Sequence, residues 1–495
     1  MFINKLFFPT IVYVILAFSI NIFAQDYLSQ TDKDAFRLSE RGILYDARSL
    51  GMGNALSIIG NTYSAMLFNP ATLGLAEKFT VSSSVNLNLY HNNARFLSDS
   101  TEDTKTETVL NQFGLVYPVS KDSGDNNLVF ALGYNQSNDF NRILKFSDFN
   151  SSNSSLIQDL TSFNNELMDS LYLSYPLFDP NNNYLGNETI INGNLLTQGS
   201  LLEEGGINWW SFGFSYEFAS NVFFGGSANY AVGSYTSNRE YYEIDEQNVY
   251  GDTVKTIPNS NNSPTGFEEF NLNDVVTWSY NGWDIRMGVL YKFFNFISIG
   301  GSVKLPTNYS IQEKHYFTGI SKFTGGFEKV EELNVIDNNY NVQSPFEFIA
   351  GAMVNIWFIQ GAVEASYIDY TQMKFTDGLD VRTEARLNKN IQEKYTQVIN
   401  ARAGLEFRLP FTGLSARAGF MYNMSPLQDA PTDYDKKYLT AGVGIRSGEG
   451  DFEFNLAYAH GWWDQISGEF GTRIPTISES ITTDNIMISA TLRFN

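Results

Sequence analysis

Along much of the chain, apolar and polar residues alternate with a period of two, the mark of a strand whose two faces meet different surroundings. From Asn485 to Phe494, one face carries Ile486, Ile488, Ala490, Leu492 and Phe494, and the other Met487, Ser489, Thr491 and Arg493. Phe452, Phe454, Leu456 and Tyr458 likewise oppose Glu453, Asn455 and Ala457. Ile399, Ala401, Ala403, Leu405, Phe407 and Leu409 oppose Asn400, Arg402, Gly404, Glu406 and Arg408. Alternation alone fits a soluble sandwich as well as a membrane barrel. The count separates them, because fourteen strands are predicted, centred near residues 85, 113, 132, 213, 229, 287, 301, 350, 364, 401, 417, 442, 456 and 489. An even number is what a single-chain bacterial barrel needs. The predicted fold is all-β, a transmembrane antiparallel β-barrel of about fourteen strands over residues 79–495.

The connections alternate in length. Long ones are expected near 92–107, 139–206, 242–276, 314–343, 374–391, 423–436 and 463–483, with 139–206 and 242–276 the longest; short ones fall near 120–126, 219–221, 294–296, 356–358, 409–412 and 448–451. Short periplasmic turns and long extracellular loops are the habit of outer-membrane barrels, so both mature ends are expected in the periplasm. Trp209, Trp210, Trp278, Trp283, Trp462 and Trp463 fall at the expected outer strand ends and Trp357 in a short turn, with none at mid-strand, as an interfacial aromatic girdle requires. The last strand, ending Phe494-Asn495, resembles the signal read by the barrel-assembly machinery.

The first residues add a location. Lys5, the apolar run Leu6 to Phe23 and the small residue Ala24 have the layout of a secretory signal peptide, residues 1–24. Beyond Gln25 no stretch approaches the roughly 20 apolar residues of a membrane helix. The chain of 495 residues has 40 Phe, 28 Tyr and 39 Gly but no Cys, so no disulfide holds it together. Closing a sheet on itself does so instead. A formal charge of −22 argues against a nucleic-acid partner. It suits either the solubility of long loops or a surface sharing divalent cations with lipopolysaccharide in the outer membrane.

Residues 25–78 do not alternate and form an expected hatch, or plug, inside the lumen. They include Arg48-Ser49-Leu50-Gly51-Met52-Gly53 and, further on, Asn69-Pro70-Ala71 followed by a leucine-rich tail. Gly51, Gly53 and Pro70 act mainly on backbone geometry. This pattern resembles the N-terminal hatch of the FadL family of outer-membrane transporters for long-chain fatty acids and other hydrophobic compounds. The resemblance implies a plugged, monomeric fourteen-stranded barrel that takes up a hydrophobic small molecule and releases it sideways into the bilayer, through a wall gap expected near Gly133 to Phe140. The Gly-x-Gly and Asn-Pro-Ala signature also resembles PorV-type barrels, which are partners in type IX protein secretion.

In the longest loop, Leu156, Ile157, Leu160, Phe163, Leu167, Met168 and Leu171 recur at helical spacing. This stripe either packs as a lid on the neighbouring loop, or lines a ligand groove made by Leu160, Phe163, Leu167 and Leu171. Facing the lumen, Arg286, Lys292, Lys304, Arg402, Arg408, Arg417 and Arg493 are expected against Glu364, Glu406 and Glu453. These charges either dock the hatch or guide an anionic head group, with Arg286, Arg402, Glu406, Arg417 and Glu453 the principal candidates. His91, His315 and His460 show no carboxylate or nucleophile arrangement, and no motif with catalytic mechanics appears. No catalytic residue, metal ligand or cofactor is therefore assigned.

Overall fold

The computed structural model describes residues 31–494, apart from 44, 56, 61, 120–126, 164, 259, 295, 449 and 469. The expected signal segment lies outside them. Fourteen antiparallel strands form the wall: β1 (Phe79–Phe96), β2 (Asp99–Pro118), β3 (Leu128–Asp139, resuming as Arg142–Asn150), β4 (Leu195–Ala219), β5 (Val222–Ile244), β6 (Phe267–Phe293) and β7 (Ile297–Lys304, resuming as Asn308–Phe323). There follow β8 (Phe327–Gln343, resuming as Glu347–Ile356), β9 (Ile359–Asp369), β10 (Gln397–Arg408), β11 (Leu414–Asn423), β12 (Lys436–Arg446), β13 (Phe452–Ser467) and β14 (Ile477–Phe494). Each pairs with the next, and β14 closes on β1 from Phe79↔Phe494 to Arg95↔Ser478. Every expected strand centre falls inside one of them.

The faces follow the alternation read from the sequence. Outward positions are apolar and exposed, as with Trp210, Phe212, Phe214 and Tyr216 on β4, while Ser211 and Ser215 between them are buried. An apolar exterior around a polar interior is the arrangement of a barrel standing in a bilayer.

The expected loops are in large part strand. Residues 92–107 belong to a hairpin turning at Leu97 and Ser98, and 314–343 to another turning at Thr324–Gly326. The stretches 139–206 and 242–276 reduce to connecting segments at 151–194 and 245–266, the first of them carrying two short helices and a small hairpin. Crossing a bilayer takes about ten residues per strand, so most of the 25 residues of β4 and the 27 of β6 stand beyond it. There the outward face meets water, as at Thr104, Thr106 and Thr108 of β2, and the hydropathy alternation fades although the pleat continues. Two tryptophans depart from the girdle expectation for the same reason, while Trp210, Trp283 and Trp357 are exposed. Trp209 and Trp278 are buried inside long strands, with Trp209 bonded to the Ser137 hydroxyl and Trp278 to Glu313.

Inside the wall lies the hatch: α1 (Asp32–Ser39), α2 (Ala47–Gly51), α3 (Tyr63–Met66) and a 3-10 turn at Pro70–Leu75. Asp46 caps α2, accepting from the Ser49 backbone N–H at 2.8 Å while the Ser49 hydroxyl receives the Asp46 N–H, a reciprocal cap encoded by Asp-x-x-Ser. Asn69 accepts from Ala71 N–H and starts the 3-10 turn with Pro70 in its first position, where a missing N–H costs nothing.

Outside the bilayer, α4 (Leu156–Phe163) and α5 (Asn165–Ser170) form a lid over the extended strands. Leu156, Ile157, Leu160, Leu167, Met168 and Leu171 are buried in one cluster with Phe146, Tyr241, Phe267, Phe270, Phe317 and Phe323. A last helix, α6 (Val381–Lys394), packs on α1 and carries buried Leu387 and Ile391.

Candidate functional site: the plugged lumen and its wall seam

The hatch meets the wall through glycine. Ten strands, β2 to β8 and β10 to β12, turn a glycine inward where the hatch passes. Gly114 and Gly133 face the Tyr63 ring, Gly213 faces Met66, Gly225 faces Pro70 and Ala71, and Gly288 and Gly300 face the Asn69 amide. Gly351 faces Ile58, Gly404 and Gly419 face Met52 and Gly53, and Gly442 faces Gly51. A methyl group at Gly404 would stand 2.7 Å from the Met52 carbonyl carbon and 2.9 Å from its Cα, closer than any ordinary contact. The hatch backbone therefore rests directly on the wall. Gly53 itself has φ +61°, a left-handed conformation that favours glycine, and lies against Ala403 and Phe420.

Ion pairs lock the same contact. Arg37 reaches Glu203 at 2.6 Å, Arg41 reaches Glu347 at 2.6 Å, and Arg48 reaches Glu406 at 3.1 Å. Each joins a hatch arginine to a wall glutamate. Arg37 also lies over the Tyr235 ring at 4.1 Å and Arg41 over Phe68 at 4.0 Å. The sequence pattern implied the reverse, wall arginines seeking hatch carboxylates. Among the candidate arginines Arg286 docks on the hatch, donating to the Leu67 carbonyl oxygen, and Lys436 of the wall pairs with hatch Glu40. The other candidates pair within the wall, Arg402 with Glu364 at 2.7 Å, Arg417 with Glu406 at 2.6 Å and Arg493 with Glu453 at 2.8 Å. Glu364 also accepts the Ser57 N–H of the hatch at 2.8 Å. The expected excess of basic residues in the lumen does not survive, since Glu203, Asp284, Glu347 and Glu479 are buried there as well. Buried charges need partners, and here they have them.

Asn69 spans hatch and wall, its side-chain NH2 donating to Ser57 O at 2.9 Å and Val289 O at 3.0 Å. The Ser215 hydroxyl holds Ala71 O at 2.9 Å. Arg48, Gly51, Gly53, Asn69, Pro70 and Ala71 thus all sit at the contact between plug and wall. The candidate groove is different. Leu160, Leu167 and Leu171 are sealed in the lid core, and the Phe163 side chain lies outside the described residues. The stripe faces the extended upper parts of β3 to β7, whose rings fill the space a ligand would take.

Above the hatch a cavity of about 350 Å³ is bounded by α1, by Asn88 and Tyr90 of β1, by Asn138–Arg142 of β3 and by Trp463 of β13. It reaches the wall where the wall is weakest. Strands β2 and β3 pair from Pro118↔Val129 only as far as Gln112↔Asn135. Beyond that point β2 pairs with β1 alone, and β3 with β4 alone. Asn111 is bulged out of the β1 register and Ser137 out of the β4 register, and the third strand breaks at Phe140 and Asn141. Ser137 lies so close to Gly42 of the hatch that a Cβ there would stand 2.9 Å from Asn138 Cα and overlap the Ser137 carbonyl.

Further out, side chains replace the backbone ladder across this seam. Asn141 donates to Glu107, Lys105 reaches Glu204 at 2.7 Å and Lys145 reaches Asp103 at 2.8 Å. Between the last ladder pair and these bridges lies a window in the backbone ladder, bordered by residues 108–111 and 136–140. At about 3.3 Å per residue it is roughly 13 to 16 Å tall. The expected gap at Gly133 to Phe140 overlaps this window.

The histidines do meet carboxylates, contrary to the sequence reading. His315 is buried 2.5 Å from Asp274, and on the outer wall His91 and His460 flank Asp484 at 3.6 and 2.8 Å.

A closed fourteen-stranded barrel with its N-terminal segment folded inside is a plugged barrel, and one of its seams lacks a continuous backbone ladder. Two solved structures share this fold. The Pseudomonas putida toluene transporter TodX matches with a TM-score of 0.52 at 15% identity, over 91% of this chain and 99% of its own. A Pseudomonas aeruginosa FadL homologue matches with a TM-score of 0.53 at 11% identity, over 92% of this chain and 100% of its own. No family model matches the chain, and no curated protein matches it in sequence.

Proposed function

We propose that the chain is an outer-membrane protein for uptake of hydrophobic small molecules, long-chain fatty acids, hydrocarbons or aromatics, through a plugged barrel with lateral release. The observation that carries this reading is the window between β2 and β3, which meets the lumenal cavity at Asn138–Arg142. A molecule entering from outside would find the straight path blocked by a hatch resting on ten strands. The parted seam offers it a way into the bilayer, where an apolar molecule is more stable than in periplasmic water. In this reading the rim with the short turns and both chain ends faces the periplasm, the lid faces the medium, the surface contacts lipid and lipopolysaccharide, the assembly machinery inserts the barrel, and the working unit is a monomer. The fold shared with a toluene transporter and a FadL homologue supports the architecture.

The test is native mass spectrometry with lipid extraction on the detergent-purified barrel. A stoichiometric co-purified fatty acid, hydrocarbon or aromatic is the expected result. A ligand-free barrel that retains a partner protein would overturn the reading in favour of type IX secretion, and steady ion conduction by the intact barrel would overturn it in favour of a diffusion pore.

A further inference from the structure

We propose that the molecule this barrel passes is a neutral hydrophobe carrying a hydroxyl group, a phenol or a long-chain alcohol, rather than a carboxylate anion or a bare hydrocarbon. The inference rests on the transport reading and narrows it.

Three buried asparagines stand along the route from cavity to window. Asn88 lines the cavity, Asn111 is the bulged residue of β2, and Asn135 makes the last ladder pair before the seam parts. They are 8%, 0% and 1% exposed, yet their Oδ1 atoms accept no hydrogen bond from any described residue. A buried acceptor without a donor is costly; among the described residues six further asparagine Oδ1 atoms share that state, Asn423 of the same cavity among them. At two of these sites the chemistry fixes which end of the amide is oxygen. Asn88 Nδ2 donates to the Asp139 carboxylate at 3.1 Å and Asn111 Nδ2 to Tyr45 O at 2.7 Å, so turning either amide over would set oxygen against oxygen. At Asn88 and Asn111 the free group is therefore the oxygen.

Around them the charge is negative or cancelled. Asp139 and Glu107 border the seam. The cavity arginines are engaged, Arg37 with Glu203 at 2.6 Å, Arg41 with Glu347 at 2.6 Å, Arg142 with Glu479 at 2.7 Å and Arg402 with Glu364 at 2.7 Å. A carboxylate head group would have to share an arginine whose charge a buried glutamate already neutralises, and then pass two carboxylates and three carbonyl oxygens. Donors without acceptors line the same cavity, at Arg41 Nη2 and Trp463 Nε1. A hydroxyl is the smallest neutral group that meets both needs, donating to an asparagine oxygen and accepting from arginine or indole. A hydrocarbon meets neither.

The experiment uses the full-length barrel in lipid nanodiscs and follows tryptophan fluorescence while dodecanol, dodecanoate and dodecane are added in turn. Dodecanol is expected to bind about tenfold more tightly than either of the others, the size of effect one well-made hydrogen bond supports. Asn88→Leu and, separately, Asn135→Leu are expected to reduce dodecanol to the level of dodecane while leaving dodecane unchanged, in barrels whose unchanged gel mobility before and after heating shows that they are folded. Dodecanoate binding as tightly as dodecanol, or both variants keeping the preference, would overturn the inference and leave the transport reading standing. If none of the three binds, the transport reading fails with it.

Discussion

Placing leucine at Gly404 tests whether the plug is held by backbone contact with the wall. A Cβ at this position would stand 2.7 Å from the Met52 carbonyl carbon, whereas ordinary contacts begin at 3.4 Å. The hatch must therefore retreat by more than about 0.7 Å even for alanine, because the Met52 carbonyl oxygen lies nearer still, and further for the three remaining carbons of leucine, since a close-packed interior has no slack to absorb them. Overpacking of this kind costs about 1 to 3 kcal/mol. If that cost falls on the seated plug, the displaced fraction rises by roughly 5- to 150-fold, at about 1.4 kcal/mol per factor of ten. Ion conductance of single barrels in a planar bilayer reads this directly, and protease cleavage within residues 45–75 reads it independently. Gly361 supplies the control, because it points outward from β9 and its nearest neighbour is the flexible Leu405 side chain at 3.2 Å. Gly361→Leu is expected to behave like the parent. Parent-like conductance and a protease-resistant hatch in Gly404→Leu would refute the reasoning, since the wall would then be yielding in place of the plug.

Three further outcomes follow from other parts of the molecule. Arg402→Ala strands Glu364 in a site where both side chains are almost wholly buried, at a cost of about 3 to 5 kcal/mol, which thermal unfolding of the barrel should register; Arg402→Met with Glu364→Leu should recover most of it, and uptake should track stability rather than fall on its own. In the lid, Leu160→Ala or Leu171→Ala removes a fully buried side chain and should cost about 2 to 5 kcal/mol locally, seen as faster proteolysis within 151–194 with barrel melting unchanged. Beyond the bilayer at the end of β5, burial pushes the Glu243 carboxyl up from 4.5 to about 7, although it accepts the Leu156 and Ile157 N–H groups at the start of α4. Between those values the folded lid keeps a proton that the opened lid releases, so lid stability falls as pH rises through the window. Proteolysis of the lid should be slower at pH 5.5 than at 7.5, and Glu243→Gln should remove the difference.

The parts legible in the sequence were those in which each residue reports its own surroundings. Lipid demands apolar side chains at alternate positions, so the wall from Ile399 to Leu409 could be read one residue at a time. Contacts between distant segments left weaker traces. The alternation sets Gly404 on the lumenal face, between Arg402 and Glu406, but nothing local says that a glycine there meets the Met52 backbone. The signal that would have found the belt was available: an inward-phase glycine recurs at one level on strand after strand. Glu203 and the upper β4 were hidden because strands standing in water lose their apolar face. The leucine stripe of α4 and α5 is legible as a stripe; whether it covers a ligand or a ring of phenylalanines depends on strands that have no apolar outer face to mark them.

The glycine belt also sets how a chain of this fold can drift. At an inward glycine any substitution adds atoms where there is no room, so change is excluded in every direction. One residue along the same strand, facing the hydrocarbon, Leu132, Leu405 and Phe420 meet a fluid that takes any apolar shape. Tolerance to mutation should thus alternate with the pleat, strict and free positions taking turns along each strand. Two such barrels can then come to agree at 11 to 15% of their positions and still match over nine-tenths of their length.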